Sequence, residues 1–153
     1  MKNVLSLFFI FAFFSTPAQQ KSHVQDKENL FSPDEITRLD SLLHQYHQRT
    51  ANIILIATDS ADINDPAYKN ELFWQYIPDT TAVEKILMLL MSRKSQAIRI
   101  VASKPLQPYL TPEQLLEILD TGVPSIKEKR REEGAMIICK KAMELLDGLS
   151  KNN

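Results

Sequence analysis

Cysteine, glycine and histidine are scarce in this chain, and each shortage closes off some chemistry. The one cysteine, Cys139, has no partner, so no intramolecular disulfide can form and the apolar core must supply the stability. A catalytic thiol needs a base beside it, yet all three histidines precede residue 48. The segment "AMIICKKAMELL" instead places Cys139 on an apolar helical stripe as a small buried hydrophobe. The three glycines, Gly122, Gly134 and Gly148, cannot build a phosphate-cradling loop, and neither G-x-S-x-G nor H-E-x-x-H occurs. An excess of one charge is missing too. Eighteen basic and nineteen acidic residues give −1, which argues against a nucleic-acid partner. The one basic concentration, "KEKRREE" at 127–133, carries its own acids and reads as a solvated helical face. Beyond the N-terminus there is no apolar run near the roughly 20 residues needed to span a bilayer.

What is present begins with an export signal. In "MKNVLSLFFIFAFFSTPAQQ", Lys2 is a positive n-region, Val4 to Phe14 an apolar run, and Ser15 to Ala18 a small-residue exit. The run is too short for a spanning helix, and no cysteine near the exit suggests lipid attachment. Cleavage after residue 19 leaves a mature chain of roughly 135 residues, expected to be periplasmic or secreted. Residues 20–31 read as a polar lead-in and 32–150 as one domain; 44% hydrophobic composition suffices for its core.

The elements follow from caps and periodicity. Ser32, Pro33 and Glu35 form a capping box with proline at the first helical position. Ile36, Leu39, Leu42, Leu43 and Tyr46 then share one helical face. "NIILIATD" (52–59) is a strand apolar on both faces. Asp65-Pro66 opens a second helix to about Tyr76, and Trp74 near its end is expected to pack over the sheet edge. "EKILMLLM" and "AIRIVAS", joined by the polar "SRKSQ", predict an antiparallel hairpin. Thr111-Pro112-Glu113-Gln114 caps a short helix that Gly122 should end, and a last helix should run from Pro124 to about Leu149, with Gly134 as a weak point. The fold class is α/β, a three-layer α/β/α sandwich with a small mixed sheet including one antiparallel hairpin.

Few residues look chemical. His44 and His47 have metal-ligand spacing, but one points away from the apolar stripe and the other lies at its edge, so both read as surface residues. Asp59, Asp62, Asn64 and Asp65 crowd the loop after the first strand, where oxygen ligands for a hard cation could gather or simply cap and turn the chain.

Taken in order, these pieces resemble the TPM domain family over nearly the whole mature chain. "VQDKENLFSPDEITRLDSLL" resembles its opening and long helix, "PAYKNELFWQYI" the helix ending in a tryptophan, here Trp74. "VEKILMLLMSRKSQAIRI" resembles its hairpin with Arg99 as the second-strand arginine, and Gly134 matches a glycine of the closing helix. The resemblance implies an exported or membrane-tethered protein. It offers two activities, a divalent-metal-dependent acid phosphatase or a non-enzymatic accessory module of an envelope or membrane complex. It matches family acids at Asp26, Asp79 and Glu84; with Asp59, at the end of the first strand, these are the candidate metal-binding residues, calcium expected before zinc, unless the four are separate caps and turn residues. The chain departs from the family where glycines are usual: Ser103-Lys104-Pro105, Ile77-Pro78 and Lys85 stand in their places, and Lys94-Ser95 replaces an acidic pair in the hairpin turn. Proline removes the donor and the freedom that glycine offers an approaching ligand. A degenerate metal and phosphate site, and a binding module in preference to an enzyme, are therefore expected.

Overall fold

β-Branched and aliphatic runs make the strands, and their register makes the sheet. The computed structural model describes residues 22–65 and 84–151. Four strands, β1 (Val24–Asp26), β2 (Ile53–Thr58), β3 (Ile86–Ser92) and β4 (Ala97–Ala102), lie side by side in chain order. β1, β2 and β3 are parallel, with Asp26 opposite Thr58 and Thr58 opposite Met91. β4 returns antiparallel to β3 through the turn at 93–96, as the polar "SRKSQ" predicts. The α/β class with a mixed sheet and one hairpin is thus observed.

Among the described residues three helices cover one face: α1 (Pro33–Thr50), α2 (Pro112–Lys127) and α3 (Arg131–Lys151). The Ser32 hydroxyl accepts from the Glu35 amide while the Ser32 amide donates to the Glu35 carboxylate. Thr111 and Gln114 exchange the same pair of bonds at the start of α2. Leu39, Leu43 and Tyr46 of α1 meet Ile54, Ile56, Leu87 and Leu89 of the sheet, with Ile138, Cys139 and Leu146 of α3 closing the core. Strand alternation sends Met88, Leu90 and Ala97 to the opposite face, where Ile63 joins them in a second cluster.

Two expectations need correction. The polar lead-in, read as lying outside the domain, belongs to its sheet, because Val24–Asp26 pairs with β2 and Val24 is buried in the main core. A strand of three residues is too short to announce itself by period. Nor does Gly122 stop a helix: α2 continues through Gly122 and Pro124 to Lys127, and α3 begins only at Arg131. Gly122 and Gly134 instead mark where the two helices touch. A Cβ on Gly134 would sit 2.6 Å from the Gly122 carbonyl oxygen, and one on Gly122 would meet Ile138 Cγ1 at 2.6 Å. The leader, the helix expected to end near Tyr76, Trp74 and Asp79 lie outside the described residues.

Candidate functional site

Parallel strands bring their carboxyl ends to one edge, where open α/β sheets usually hold ligands. Two expected acids meet there. Asp26 ends β1, and its Oδ1 accepts from the Thr58 hydroxyl at 2.5 Å and the Leu30 amide at 2.9 Å. Its Oδ2 accepts from the Phe31 amide at 2.8 Å. The Thr58 hydroxyl in turn accepts from the Glu28 amide, so this cluster folds the 26–31 loop toward the start of α1. Asp59 follows β2. Its Oδ2 lies 3.2 Å from Lys27 Nζ and its Oδ1 accepts from the Ala61 amide at 3.1 Å.

The register separates Glu84 from these two. It precedes β3, at the amino edge of the parallel strands, roughly 20 Å along the strand from Asp26 and Asp59. The loop after β4 shares that amino edge, because β4 runs backwards. Ser103 is a strand fastener there: its hydroxyl accepts from the Ile86 amide and donates to the Glu84 carbonyl, while its amide donates to the Ile86 carbonyl. The loop "SKPLQPY" then winds through a 3-10 turn (Gln107–Tyr109) toward α2. In the loop after β2, Asp62 Oδ1 accepts from the Asn64 amide, which is turn chemistry, and Asn64 Oδ1 accepts from the Arg99 guanidinium.

Among the described residues, no group of three or more His, Cys, Asp or Glu side chains is placed to hold a metal ion. Asp26 and Asp59 both serve as acceptors within the fold. Their oxygens already face backbone amides, a hydroxyl and a lysine, donors that a cation would have to displace.

Sequence reasoning missed the histidine cluster. His23, just before β1, is buried, and its Nε2 lies 3.2 Å from His47 Nδ1. The His44 ring is centred 5.8 Å from that of His23. His44 and His47 are therefore half-buried flanks of a buried residue rather than free surface groups. Asp40 secures the segment, its Oδ1 accepting from the His23 amide at 2.6 Å and the Ser22 hydroxyl at 2.8 Å. Burial pushes the His23 imidazole below its ordinary value; the Asp40 charge opposes this, and His47 and His44 add to it. Only the spacing of His44 and His47 hints at the cluster in the sequence, since His23 arrives through β1 pairing.

A second concave feature lies between the β3–β4 turn and the α2–α3 corner. It is an open cleft of about 710 Å³ whose charged lining, among the described residues, is basic: Arg93, Arg99, Lys127, Lys129 and Arg131.

Residues 24–145 match the profile of the TPM domain. Among the solved structures that share the fold are three determined by NMR. The N-terminal domain of a P. gingivalis protein is 20% identical with a TM-score of 0.69, over 86% of this chain and 85% of that one. An N-terminal domain from Corynebacterium glutamicum is 13% identical with a TM-score of 0.62, over 94% and 86%. A protein of the psychrophilic bacterium Bizionia argentinensis is 13% identical with a TM-score of 0.63, over 78% and 83%. None of the curated proteins matches the chain.

Proposed function

Because the chain belongs to the TPM domain family, we propose that it acts as a non-enzymatic binding module of the cell envelope with a degenerate metal and phosphate site. The observation that supports this reading most is the state of Asp26 and Asp59. Both carboxylates at the carboxyl edge are occupied as structural acceptors, and the neighbouring hairpin turn presents Arg93 and Lys94. Phosphoryl transfer rests on positioned charge and metal. A carboxylate that already holds three donors is poorly placed to supply either.

Export by the N-terminal leader belongs to the same proposal, as does a partner within an envelope complex. No described helix is long and apolar enough to cross a membrane. Whatever cation binding survives is weak, takes calcium before zinc because its donors are oxygens, and centres on Asp26 and Asp59, which share the carboxyl edge.

Hydrolysis of a chromogenic phosphate ester with added calcium, magnesium or zinc tests the reading. The expected outcome is no turnover above that of buffer and metal alone. Metal-dependent turnover that Asp79→Ala abolishes and His44→Ala leaves intact would overturn it in favour of the phosphatase.

A further inference from the structure

The run at 127–133 mixes signs in the sequence, but the fold sorts them. Glu128 and Glu133 pair with Arg130, and Glu132 with Arg38 of α1. That leaves Lys127, Lys129 and Arg131 on one wall of the cleft, while Arg93 and Arg99 of the hairpin form the other. Among the described residues none of these five cations makes an ion pair. Arg99 donates only to neutral acceptors, Asn64 Oδ1 and the Ile98 carbonyl. Among the described residues no carboxylate lines the space, and the nearby Glu28 is held by the Arg93 amide. From this we propose that the cleft binds an extended acidic peptide segment of a partner protein, an assignment that rests on the binding-module reading.

Three further features fit that occupant. Between the cations the lining is apolar, with Leu30, Ile98, Val123 and Ile126, so the partner carries apolar side chains among its carboxylates. The space also far exceeds an inorganic anion, and β4, which supplies part of its lining, is an edge strand of the sheet among the described residues. Edge strands accept extended chains. A planar membrane surface cannot enter a recess of this kind.

The rims are also strained. Gln96 and Lys129 take φ of 48° and 67°, the left-handed region that favours glycine. At the helix corner the Lys129 amide donates to the Ile126 carbonyl and the Arg130 amide to the Ser125 carbonyl, a Schellman closure in which glycine is usual. A lysine there sets a cation at the rim at a conformational cost, the pattern expected where strain serves a site.

Fluorescence anisotropy with the intact chain and a labelled peptide alternating glutamate and valine is the test, with glutamine replacing glutamate in the control peptide. The acidic peptide should bind and weaken with added salt, and the control should not bind. The double variant Arg93→Gln, Arg99→Gln should weaken binding roughly tenfold. Lys129→Gly should weaken it severalfold while raising the thermal midpoint, a pairing that misfolding cannot produce. Lys140→Gln, exposed on α3 away from the cleft, should change nothing. Equal affinity for both peptides, no binding, or equal loss in Lys140→Gln overturns the assignment. So does recruitment to anionic vesicles that the same cleft variants abolish while no peptide binds. Failed binding without ester turnover removes the cleft assignment alone, whereas turnover removes the module reading beneath it.

Discussion

At the scale of single residues, Asp26 is decided by what its oxygens already hold. Two backbone amides and a hydroxyl converge on one carboxylate, and losing it leaves those donors without an acceptor. Asp26→Ala should therefore cost about 2–3 kcal/mol, the range for hydrogen bonds to a charged group, read from urea unfolding without added metal. A cost under about 0.5 kcal/mol, typical of an ordinary surface change, would return Asp26 to the role of a free ligand. His23 carries a pH dependence whose sign follows from burial. Its folded pKa lies below the ordinary 6.5, so the unfolded chain takes up the proton more readily. Its contribution is therefore intact above pH 6.5 and is lost as pH falls from there toward the folded value. His23 faces Asp40, His44 and His47, and His23→Gln removes the group that titrates at a different pH in the two states. Denaturant midpoints between neutral and mildly acid pH should fall in the parent chain and fall less in the variant. Parallel curves would assign the slope to other groups.

Among the elements, the α2–α3 pair is the one whose sequence misleads. A glycine followed by Val-Pro looks like a helix end, because glycine favours C-termini and proline removes a helical hydrogen bond. The helix nonetheless continues, since Ile118, Gly122 and Ser125 are buried on its inner side and the helix–helix contact offsets the lost bond. The two effects of alanine at Gly122 compete. Helix propensity would gain about 1 kcal/mol, but a Cβ there strikes the Gly134 carbonyl oxygen and Ile138, and overpacking of this kind costs about 1–3 kcal/mol. Backbone cannot swing aside as a side chain can, so the clash wins. Gly122→Ala should lower the thermal midpoint, and Gly148→Ala, with nothing within 4 Å of its added Cβ, should leave it level or raise it. Calorimetry on the two variants checks both signs. Equal shifts would mean that the helices can part without loss.

For the molecule as a whole, the main core must hold without a disulfide, and Cys139 reports on it. The thiol is fully buried, and burial pushes its pKa up to about 12. Thiolate is the reacting form, so labelling requires both exposure and ionisation, and both demand that α3 leave the sheet. Native labelling by a disulfide reagent should be slow and should follow the global unfolding equilibrium as denaturant rises. Rapid labelling at zero denaturant would show local opening of α3. Surface ion pairs add little to this stability. The Arg38–Glu132 and Arg49–Asp147 pairs join α1 to α3, but both arginines are more than half exposed and solvent screens them.

Local signals were legible in the chain itself. The Ser32 and Thr111 capping boxes, the β2 and β3 runs, the polar hairpin turn and the buried cysteine stripe all appear where short-range chemistry places them. Such features depend on neighbours within about one helical turn or one strand, and sequence contains those neighbours. The site was legible only as a set of acids. Register alone could show that Asp26 and Asp59 share an edge while Glu84 stands at the other, because strand direction is a property of the sheet. The β1 strand, the meeting of His23 with His47, the glycine contact between α2 and α3, and the sorting of charges around the cleft were likewise decided by tertiary structure. Each joins residues distant in the chain or assigns them different neighbours in space. Composition, period and spacing say which groups a protein has; only the packed fold says which of them meet.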